Sequence, residues 1–306
     1  MVRTALLAAA RSDRCRALIE DMRPTRQVVA RFVAGNDVAH AIAASSVLAV
    51  DREVTLDLLG ESTMDAEQAD ATVVAYTRLL DLLDRTGLTS RVEISLKLSA
   101  IGGSLPMNGK RIALANARRV CEAAASVGTT VTVDMEDHTT TDQTLETVRA
   151  LRVDFPWVGA VLQAHLRRTE QDCRELAGPG SRVRLCKGAY REPSSVAYQR
   201  KSEVDRAYVR CLRILMAGKG YPMVATHDPR LVAITEKLAV SRAAGSFEYQ
   251  MLYGIRPREQ DRITARGRRM RVYVPYGDQW YPYFMRRLAE RPANLVFFLR
   301  SLATTH

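Results

Sequence analysis

Charged side chains interrupt several stretches of the chain that otherwise have the composition of buried β-strands. The clearest is VRLCKGAYREP, residues 183–193, where Arg184 and Lys187 stand in a run of strand-forming residues that ends at Gly188. Arginine keeps its charge at every accessible pH, and a buried charge survives only beside an opposite charge or a charged ligand. We therefore expect Arg184 to face a pocket, with Asp134 nearby and an anionic or electron-rich ligand above it.

Polar residues occupy the same kind of position in other strand-like stretches, and together they predict one ring of functional side chains. The ring consists of Lys97, Asp134, Gln163, Arg184 and His227, with Tyr273 beside them. Its cations could hold an anionic substrate or cofactor, and its carboxylate could orient those cations. A second interpretation stays open, in which these residues pair with one another and only fill the interior.

Eight strand-like runs, separated by helical patterns, supply the elements that would position this ring. They are VTLDLLG, VEISLKLS, VTVDMED, VGAVLQAH, VRLCKGA, MVATHD, FEYQML and RVYVPYG, beginning at Val54, Val92, Val131, Val158, Val183, Met223, Phe247 and Arg271. Strands that alternate with helices, such as residues 65–87 and 109–128, indicate βαβ units and a parallel sheet. The predicted fold is α/β, a (βα)8 barrel of the TIM type over residues 51–306. Residues 1–50 would form an N-terminal helical segment, and a final helix after Gln279 would cover the barrel mouth.

The strand-like runs alternate in polarity, which is unusual for parallel strands buried on both faces. In the second run, Val92 and Ile94 alternate with Glu93 and Ser95, and the third run alternates in the same way. The apolar faces must contact the outer helices, so the polar faces point into the barrel. The late residues of each strand then reach the C-terminal mouth, where enzymes of this fold carry out their chemistry.

Acidic and basic clusters elsewhere in the chain give weaker signals. DMEDH, residues 134–138, sets Asp134, Glu136 and His138 on one strand face, where they could hold a metal ion. The other histidines show no HxH or HExxH spacing, so no metal site is expected. The basic runs GKRIALANARR and RITARGRRMR lack interleaved aromatic residues on which bases could stack, so no nucleic acid is expected as a partner.

The overall composition narrows the class of protein but not its ligand. The chain has 306 residues and a formal net charge of +11, which favours anionic partners. Its five cysteines are scattered without a CxxC pair, which indicates reduced thiols rather than a disulfide framework. No stretch is apolar and long enough to span a bilayer, and the apolar run at residues 5–10 is too short for a secretory signal. We therefore expect a cytoplasmic protein.

Seven motifs occur in order along the chain, each at a strand end or on the last helix. They are VEISLKLSAIG, VTVDMEDH, VGAVLQAHLRRT, VRLCKGAYREP, MVATHD, FEYQMLYGIR and YPYFMRRLAER. Together they resemble the proline dehydrogenase family, in its single-function form without an appended aldehyde dehydrogenase, from about Arg31 to the last helix. The resemblance implies a (βα)8-barrel flavoenzyme that oxidises L-proline, although the chain has no GxGxxG motif that would by itself indicate a dinucleotide.

The resemblance also assigns roles to individual residues. Asp134 and Arg184 would be catalytic, with Arg184 at flavin N5 and Asp134 orienting the cations around it. FAD would contact Met135 through its backbone, Gln163, Arg184, Lys187, Gly188, Ala189, Thr226 and His227. The substrate would contact Lys97, Tyr190, Leu252, Tyr273, Arg286, Arg287 and Glu290. Glu61 would act as a gate by pairing with the first arginine of the last helix.

The reaction implied by the resemblance is the first step of proline catabolism, transfer of a hydride from ring carbon five of L-proline to FAD, which gives 1-pyrroline-5-carboxylate. Arg286, Arg287 and Lys97 offer three cations to the substrate carboxylate, and a cation beside the flavin favours its reduction. The substrate amine must be neutral to release hydride, so activity is expected to rise with pH. Electrons would pass to a membrane quinone, and the product to a separate 1-pyrroline-5-carboxylate dehydrogenase.

Two other functions stay open on the sequence, a Schiff-base aldolase or lyase that uses Lys97 as its nucleophile and a barrel that only binds an anionic metabolite. Contact with a membrane, at the inner face of the cell membrane, would be peripheral and weak. It would use the basic run Arg262, Arg266, Arg268, Arg269 and Arg271, with an apolar contribution from the tail NLVFFLRSL.

Overall fold

Eight parallel strands close into a barrel, as the sequence predicts. The computed structural model describes residues 29–60 and 62–290, excluding the side chains of residues 286–290. The strands are β1 Glu53–Leu58, β2 Val92–Leu96, β3 Val131–Val133, β4 Gly159–Gln163, β5 Arg182–Cys186, β6 Tyr221–Ala225, β7 Glu248–Leu252 and β8 Met270–Tyr276. Each strand pairs with the next, and β1 pairs with β8 through Val54 and Val272, which closes the barrel.

Helices flank the barrel and connect its strands. They are α1 Val38–Leu48, α2 Ala66–Arg85, α3 Gly109–Ser126, α4 Thr141–Arg152, α5 Thr169–Leu176, α6 Lys201–Ala217, α7 Pro229–Leu238, α8 Pro257–Ala265 and α9 Trp280–Glu290. Local sequence sets their ends. The Asp65 side chain accepts a hydrogen bond from the backbone N–H of Glu67 at 2.8 Å and caps α2, and the left-handed Gly128 (φ 74°) follows α3.

The alternation along the strands separates two environments. Outward residues such as Val54 and Ile94 join a continuous apolar core with Tyr76 and Leu79 of α2. Each large apolar side chain buried in this way stabilises the fold by about 1.5–3 kcal/mol. The inward residues are buried too, yet many are polar, and Glu93 is only 1% exposed. The strands are therefore buried on both faces, with the charged face inside the barrel.

A second apolar cluster lies at the C-terminal end of the barrel. Trp280, Tyr281 and Phe284 of α9 pack with Leu59, which follows β1, and with Ile255, which follows β7. Because both loops leave the C-terminal edge of the sheet, this contact sets α9 against the mouth side, where the final helix was predicted. Residues 1–28 lie outside the described part, so the division into an N-terminal segment and a barrel stays a prediction.

One arginine of the basic run, Arg271 in β8, does not lie on the surface, whereas Arg266 and Arg269 are exposed. Arg271 is 8% exposed and points into the barrel, where its Nε donates to Glu248 Oε1 at 2.7 Å. Arg262 and Arg266 both donate to the carboxylate of Glu236. The prediction of a membrane-binding patch is therefore wrong for Arg271. The strand alternation turns this arginine inward, so its charge is not on the surface. The tail NLVFFLRSL lies outside the described residues.

Among the residues that the structure describes, no helix has the length and apolarity needed to cross a membrane. Four of the cysteines are described, namely Cys121, Cys173, Cys186 and Cys211, and all four are free thiols.

Candidate active site

The guanidinium group of Arg184 is the centre of the barrel interior. It projects inward from β5 and is 4% exposed. Its Nε donates to Gln250 Oε1 at 2.7 Å, Nη1 to Asp134 Oδ1 at 2.7 Å and to Ser95 Oγ at 3.1 Å, and Nη2 to Glu93 Oε1 at 3.3 Å. Burial alone would lower the pKa of Arg184, but the carboxylates of Asp134 and Glu93 outweigh it and raise the pKa. The cation is thus permanent and held from three other strands or strand ends.

Tyr273 completes this arrangement from β8. Its hydroxyl donates to Asp134 Oδ2 at 2.7 Å, and the Arg184 Cζ lies 5.2 Å from the centroid of its ring, within the range of a cation–π contact. Burial, together with the carboxylates of Asp134 and Asp57, raises the pKa of Tyr273 well above its ordinary value. The phenol therefore stays protonated and acts as a donor. Asp134 bridges the two side chains, with one carboxylate oxygen for each.

Lys97, just after β2, pairs with a carboxylate that sequence reasoning did not single out. Its Nζ lies 2.5 Å from Asp57 Oδ1 on β1, and Asp57 is 1% exposed. Burial would lower the pKa of Lys97, but Asp57 and Asp134 outweigh it and raise the pKa, so the ammonium is charged. Burial raises the pKa of Asp57, and the Lys97 ammonium opposes that rise.

The segment after β5 approaches neighbouring groups very closely at Gly188. Its φ is 101°, and a Cβ there would lie 2.3 Å from Nδ1 of His165, so only glycine fits without displacement. The His165 ring is itself buried, and burial lowers its pKa. Its Nε2 has no hydrogen-bond partner among the described groups. The next residues, Ala189 and Tyr190, are exposed.

The other residues predicted to contact a cofactor bond mainly to neighbouring strand ends and loops of the mouth. Gln163 donates its side-chain amide to the carbonyl of Glu136 at 2.7 Å. The Leu252 backbone N–H donates to His227 Nε2 at 2.9 Å. Thr226 Oγ1 accepts from the Asp228 backbone N–H at 3.1 Å, and Met135 is buried at the end of β3. These contacts fix the loops of the mouth.

Lys187 turns away from the interior of the barrel. Its Nζ lies 2.5 Å from Asp205 Oδ1 on α6 and 3.0 Å from Asp228 Oδ2 at the start of α7. Two carboxylates on the helix side therefore pair with this cation, whereas the two that pair with Arg184 lie inside the barrel.

The acidic motif DMEDH does not converge on one point. Asp134 binds Arg184, Glu136 accepts from the Ser99 backbone N–H at 3.0 Å, and the His138 ring pairs with Glu192. Across residues 29–60 and 62–290 no three His, Cys, Asp or Glu side chains form a group that could hold a metal ion.

Part of the predicted substrate site cannot be described at the level of side chains. Glu61 lies outside the described residues. The last helix, α9, includes Arg286, Arg287 and Glu290, but their side chains lie outside the described part. Their assigned contacts, and the gate formed by Glu61, stay predictions.

Three interior residues, Asp57, Glu93 and Gln250, were missing from the predicted site. A signal for them existed, because each alternates with outward apolar neighbours in the same way as Ser95 does between Ile94 and Leu96. Alternation identifies the inward face of a strand, but it does not show which inward residues meet across the barrel.

The protein has the architecture of the (βα)8-barrel enzymes, which place their chemistry at the C-terminal mouth of the barrel. Its buried ion pairs lie just below that mouth. Residues 42–300 match the family model described as Proline dehydrogenase. The chain is 37% identical over 283 residues to Proline dehydrogenase 1 of Bacillus subtilis (strain 168), covering 91% of each chain. It is 39% identical over 277 residues to a proline dehydrogenase of Deinococcus radiodurans, covering 89% of each chain. The chain belongs to the proline dehydrogenase family, which confirms the resemblance and the enzyme prediction.

The fold has the same relatives. A solved structure of proline utilization A (PutA) from Bdellovibrio bacteriovorus, inactivated by N-propargylglycine, superposes with a TM-score of 0.77 at 25% identity. The match covers 86% of this chain and 32% of that protein, so this chain spans about a third of its length. The bifunctional protein PutA of Escherichia coli (strain K12) is 26% identical, and 24% of its length is covered. The predicted barrel fold is confirmed.

We expect Gly188→Ala to lower the free energy of unfolding by roughly 1–3 kcal/mol, because the new Cβ both strains the backbone and displaces the His165 ring. Gly178→Ala is the matched control, since nothing lies within 4 Å of its Cβ position, and it should change the free energy by less than about 0.5 kcal/mol. Urea denaturation of the three proteins measures both values. Equal midpoints for the two variants would show that the close contact at Gly188 is not needed.

Proposed function

We propose that this protein binds FAD across the mouth of the barrel and oxidises L-proline to 1-pyrroline-5-carboxylate, the first step of proline catabolism. The observation that carries the proposal is the constellation of Arg184, Asp134 and Tyr273, joined by 2.7 Å hydrogen bonds through Asp134, in a chain of the proline dehydrogenase family. A permanent cation, fixed on all sides and buried below an enzyme mouth, suits a redox cofactor that becomes more negative when it is reduced.

The residues at the mouth fit a flavin dinucleotide. Gly188 lets the backbone after β5 pack closely against the His165 ring, and Ala189 beyond it is exposed at the mouth. The buried Nε2 of His165 beside Gly188 has no partner among the described groups, so a polar ligand group could satisfy it. Gln163, Thr226 and His227 would line the same rim, with Met135 contributing its backbone. Lys187 would contribute from the edge, where Asp205 and Asp228 hold it.

The residues proposed for the substrate offer a carboxylate clamp and a ring pocket. The Lys97 ammonium and the two arginines of α9, Arg286 and Arg287, would bind the carboxylate of proline. Leu252 and Tyr273 are paired in register on β7 and β8, so they can form one wall of the pocket. Tyr190 would form the opposite wall. Glu290 would meet the amine or Lys97, and Glu61 would close the site.

FAD, when bound, supplies the acceptor for the hydride that leaves ring carbon five of proline. The side chains around the substrate hold protons rather than take them, because the pKa values of Lys97 and Tyr273 are both raised. Neither group can therefore accept the proton of the substrate amine at neutral pH. The amine must lose that proton before hydride leaves, so kcat/KM for proline should rise with pH.

The Schiff-base alternative fits the geometry less well. A lysine that attacks a carbonyl must be neutral, and such lysines have a depressed pKa. The pKa of Lys97 is raised instead, because Asp57 and Asp134 stabilise its ammonium. The ion pair at 2.5 Å also occupies the nitrogen that would have to react.

We further propose that the electrons pass to a quinone and that the product passes to a separate 1-pyrroline-5-carboxylate dehydrogenase. Similarity to Proline dehydrogenase 1 of Bacillus subtilis, a relative named for this activity alone, supports the second point. The free thiols of Cys121, Cys173 and Cys211 support a reducing compartment such as the cytoplasm. Contact with a quinone-bearing membrane would then be peripheral and weak.

The purified protein should be yellow, and anaerobic addition of L-proline should bleach the flavin absorption bands. FAD released by denaturation identifies the cofactor. Sodium borohydride with a carbonyl substrate provides the opposing test, because covalent trapping would support a Schiff-base enzyme. A colourless protein that FAD does not reconstitute, or a bound flavin that proline leaves oxidised, would contradict the proposal.

Arg287→Met should raise KM for proline by at least tenfold while flavin content stays unchanged, since loss of a charge-assisted contact to the carboxylate costs about 1.5–3 kcal/mol. Arg85→Met is the matched control, because Arg85 forms an exposed pair with Asp81 on α2. Steady-state kinetics and the flavin-to-protein absorbance ratio give both readouts. A parental KM in Arg287→Met would remove this residue from the clamp.

A further inference from the structure

Four charged side chains lie deeper in the barrel than Arg184, on the side away from the mouth. We call Glu93, Arg182, Glu248 and Arg271 the floor cluster. Arg182 Nη2 lies 2.6 Å from Glu93 Oε2, and Arg271 Nε lies 2.7 Å from Glu248 Oε1 and 3.8 Å from Glu93 Oε1. The Glu93 carboxylate also accepts from the hydroxyls of Thr55 at 2.8 Å, Thr130 at 3.0 Å and Thr132 at 3.3 Å.

The floor cluster is joined to Arg184 by two routes. Glu93 contacts Arg184 directly at 3.3 Å. Gln250 provides the second route, because its Nε2 donates to Glu248 Oε1 at 2.6 Å while its Oε1 accepts from Arg184. Since Arg271 meets both glutamates, the contacts form a closed ring through four strands. The floor cluster is thus bonded to Arg184 both through Glu93 and through Gln250.

The charges of the floor cluster balance, with two carboxylates against two guanidinium groups. The three arginines around Glu93 lower the pKa of that carboxyl well below its usual range, so it is ionised. The side chains of Glu93 and Glu248 are 2% and 1% exposed, so water screens them little. Barrel interiors are usually filled by branched apolar residues, and simple filling of space does not call for such a set of charges.

We propose that the floor cluster tunes the potential at the flavin, and that Glu93 and Arg182 act as positioning residues through Arg184. The inference rests on the proposed function, since it needs a flavin at the mouth. Glu93 contacts Arg184, which is proposed to lie at the flavin, so a charge added at Glu93 would lie within roughly 10 Å of the flavin ring. At that distance one added charge changes the equilibrium of flavin reduction on the order of tenfold, for an effective dielectric constant of about 20.

Two substitutions of opposite charge effect test the inference. Glu93→Gln leaves the floor cluster with an excess positive charge, so the flavin should be easier to reduce. Arg182→Met leaves an excess negative charge without touching Arg184, so the flavin should be harder to reduce. Each should change the equilibrium constant about tenfold, or about 30 mV for a two-electron couple, and in opposite directions. The double variant Glu93→Gln/Arg182→Met restores the balance and should return to the parental potential.

The readout is the reduction potential of the bound flavin, measured by equilibration with a redox dye. Arg119→Met is the control, because Arg119 pairs with Asp70 on the outer helices, far from the interior.

If Glu93→Gln does not fold, the potentials of Arg182→Met and of the double variant can still be compared with that of the parent protein. Unchanged potentials in Glu93→Gln and Arg182→Met, or shifts of the same sign in both, would overturn the inference. The floor cluster would then only fill and stabilise the barrel interior. A parent protein that proline cannot reduce would instead overturn the proposed function.

Discussion

The buried guanidinium group of Arg184 is the constraint on which the rest of the interior depends. A charge that cannot be lost must be paired inside the protein, and an unpaired buried charge would destabilise the fold by several kcal/mol. Its partners come from β2, from the end of β3 and from β7, so no local stretch of chain can supply them. Only a closed barrel brings these strands around one point. The pairing of Arg184 therefore requires the complete barrel, which holds its charge at the centre of the interior.

The same alternation that pairs Arg184 divides the barrel into a floor and a mouth. Below Arg184, Glu93 and Arg271 are buried members of a balanced set of ion pairs. Above it, Tyr273 and Lys97 face the mouth with raised pKa values, so both stay protonated and act as hydrogen-bond donors. The apolar contact of α9 with the loops after β1 and β7 completes the mouth. The interior is thus filled by paired charges below Arg184 and bounded by loops above it.

Much of this architecture could be predicted from the sequence, because strand alternation is a local property. All eight strand-like runs correspond to the strands of the barrel, and Asp134, Arg184 and Tyr273 meet as the ring required. Contacts across the barrel could not be predicted in the same way. The pairing of Lys97 with Asp57 depends on the register between two strands. The roles of individual residues toward FAD and proline rest on the family resemblance alone.

Arg271 shows that closeness in sequence does not make a basic surface. It follows several other arginines in the chain. Its place in β8 turns it inward, where Glu248 and Glu93 neutralise it. Net charge and charge runs describe solubility and partners, but they do not show which charges remain at the surface.

The most direct test of the account is a crystal structure of the protein with bound FAD. The account predicts that an Arg184 nitrogen lies about 2.7–3.2 Å from the flavin ring while its contacts with Asp134, Glu93 and Gln250 persist. A flavin bound away from the barrel mouth, or an Arg184 turned away from it, would contradict the central claim.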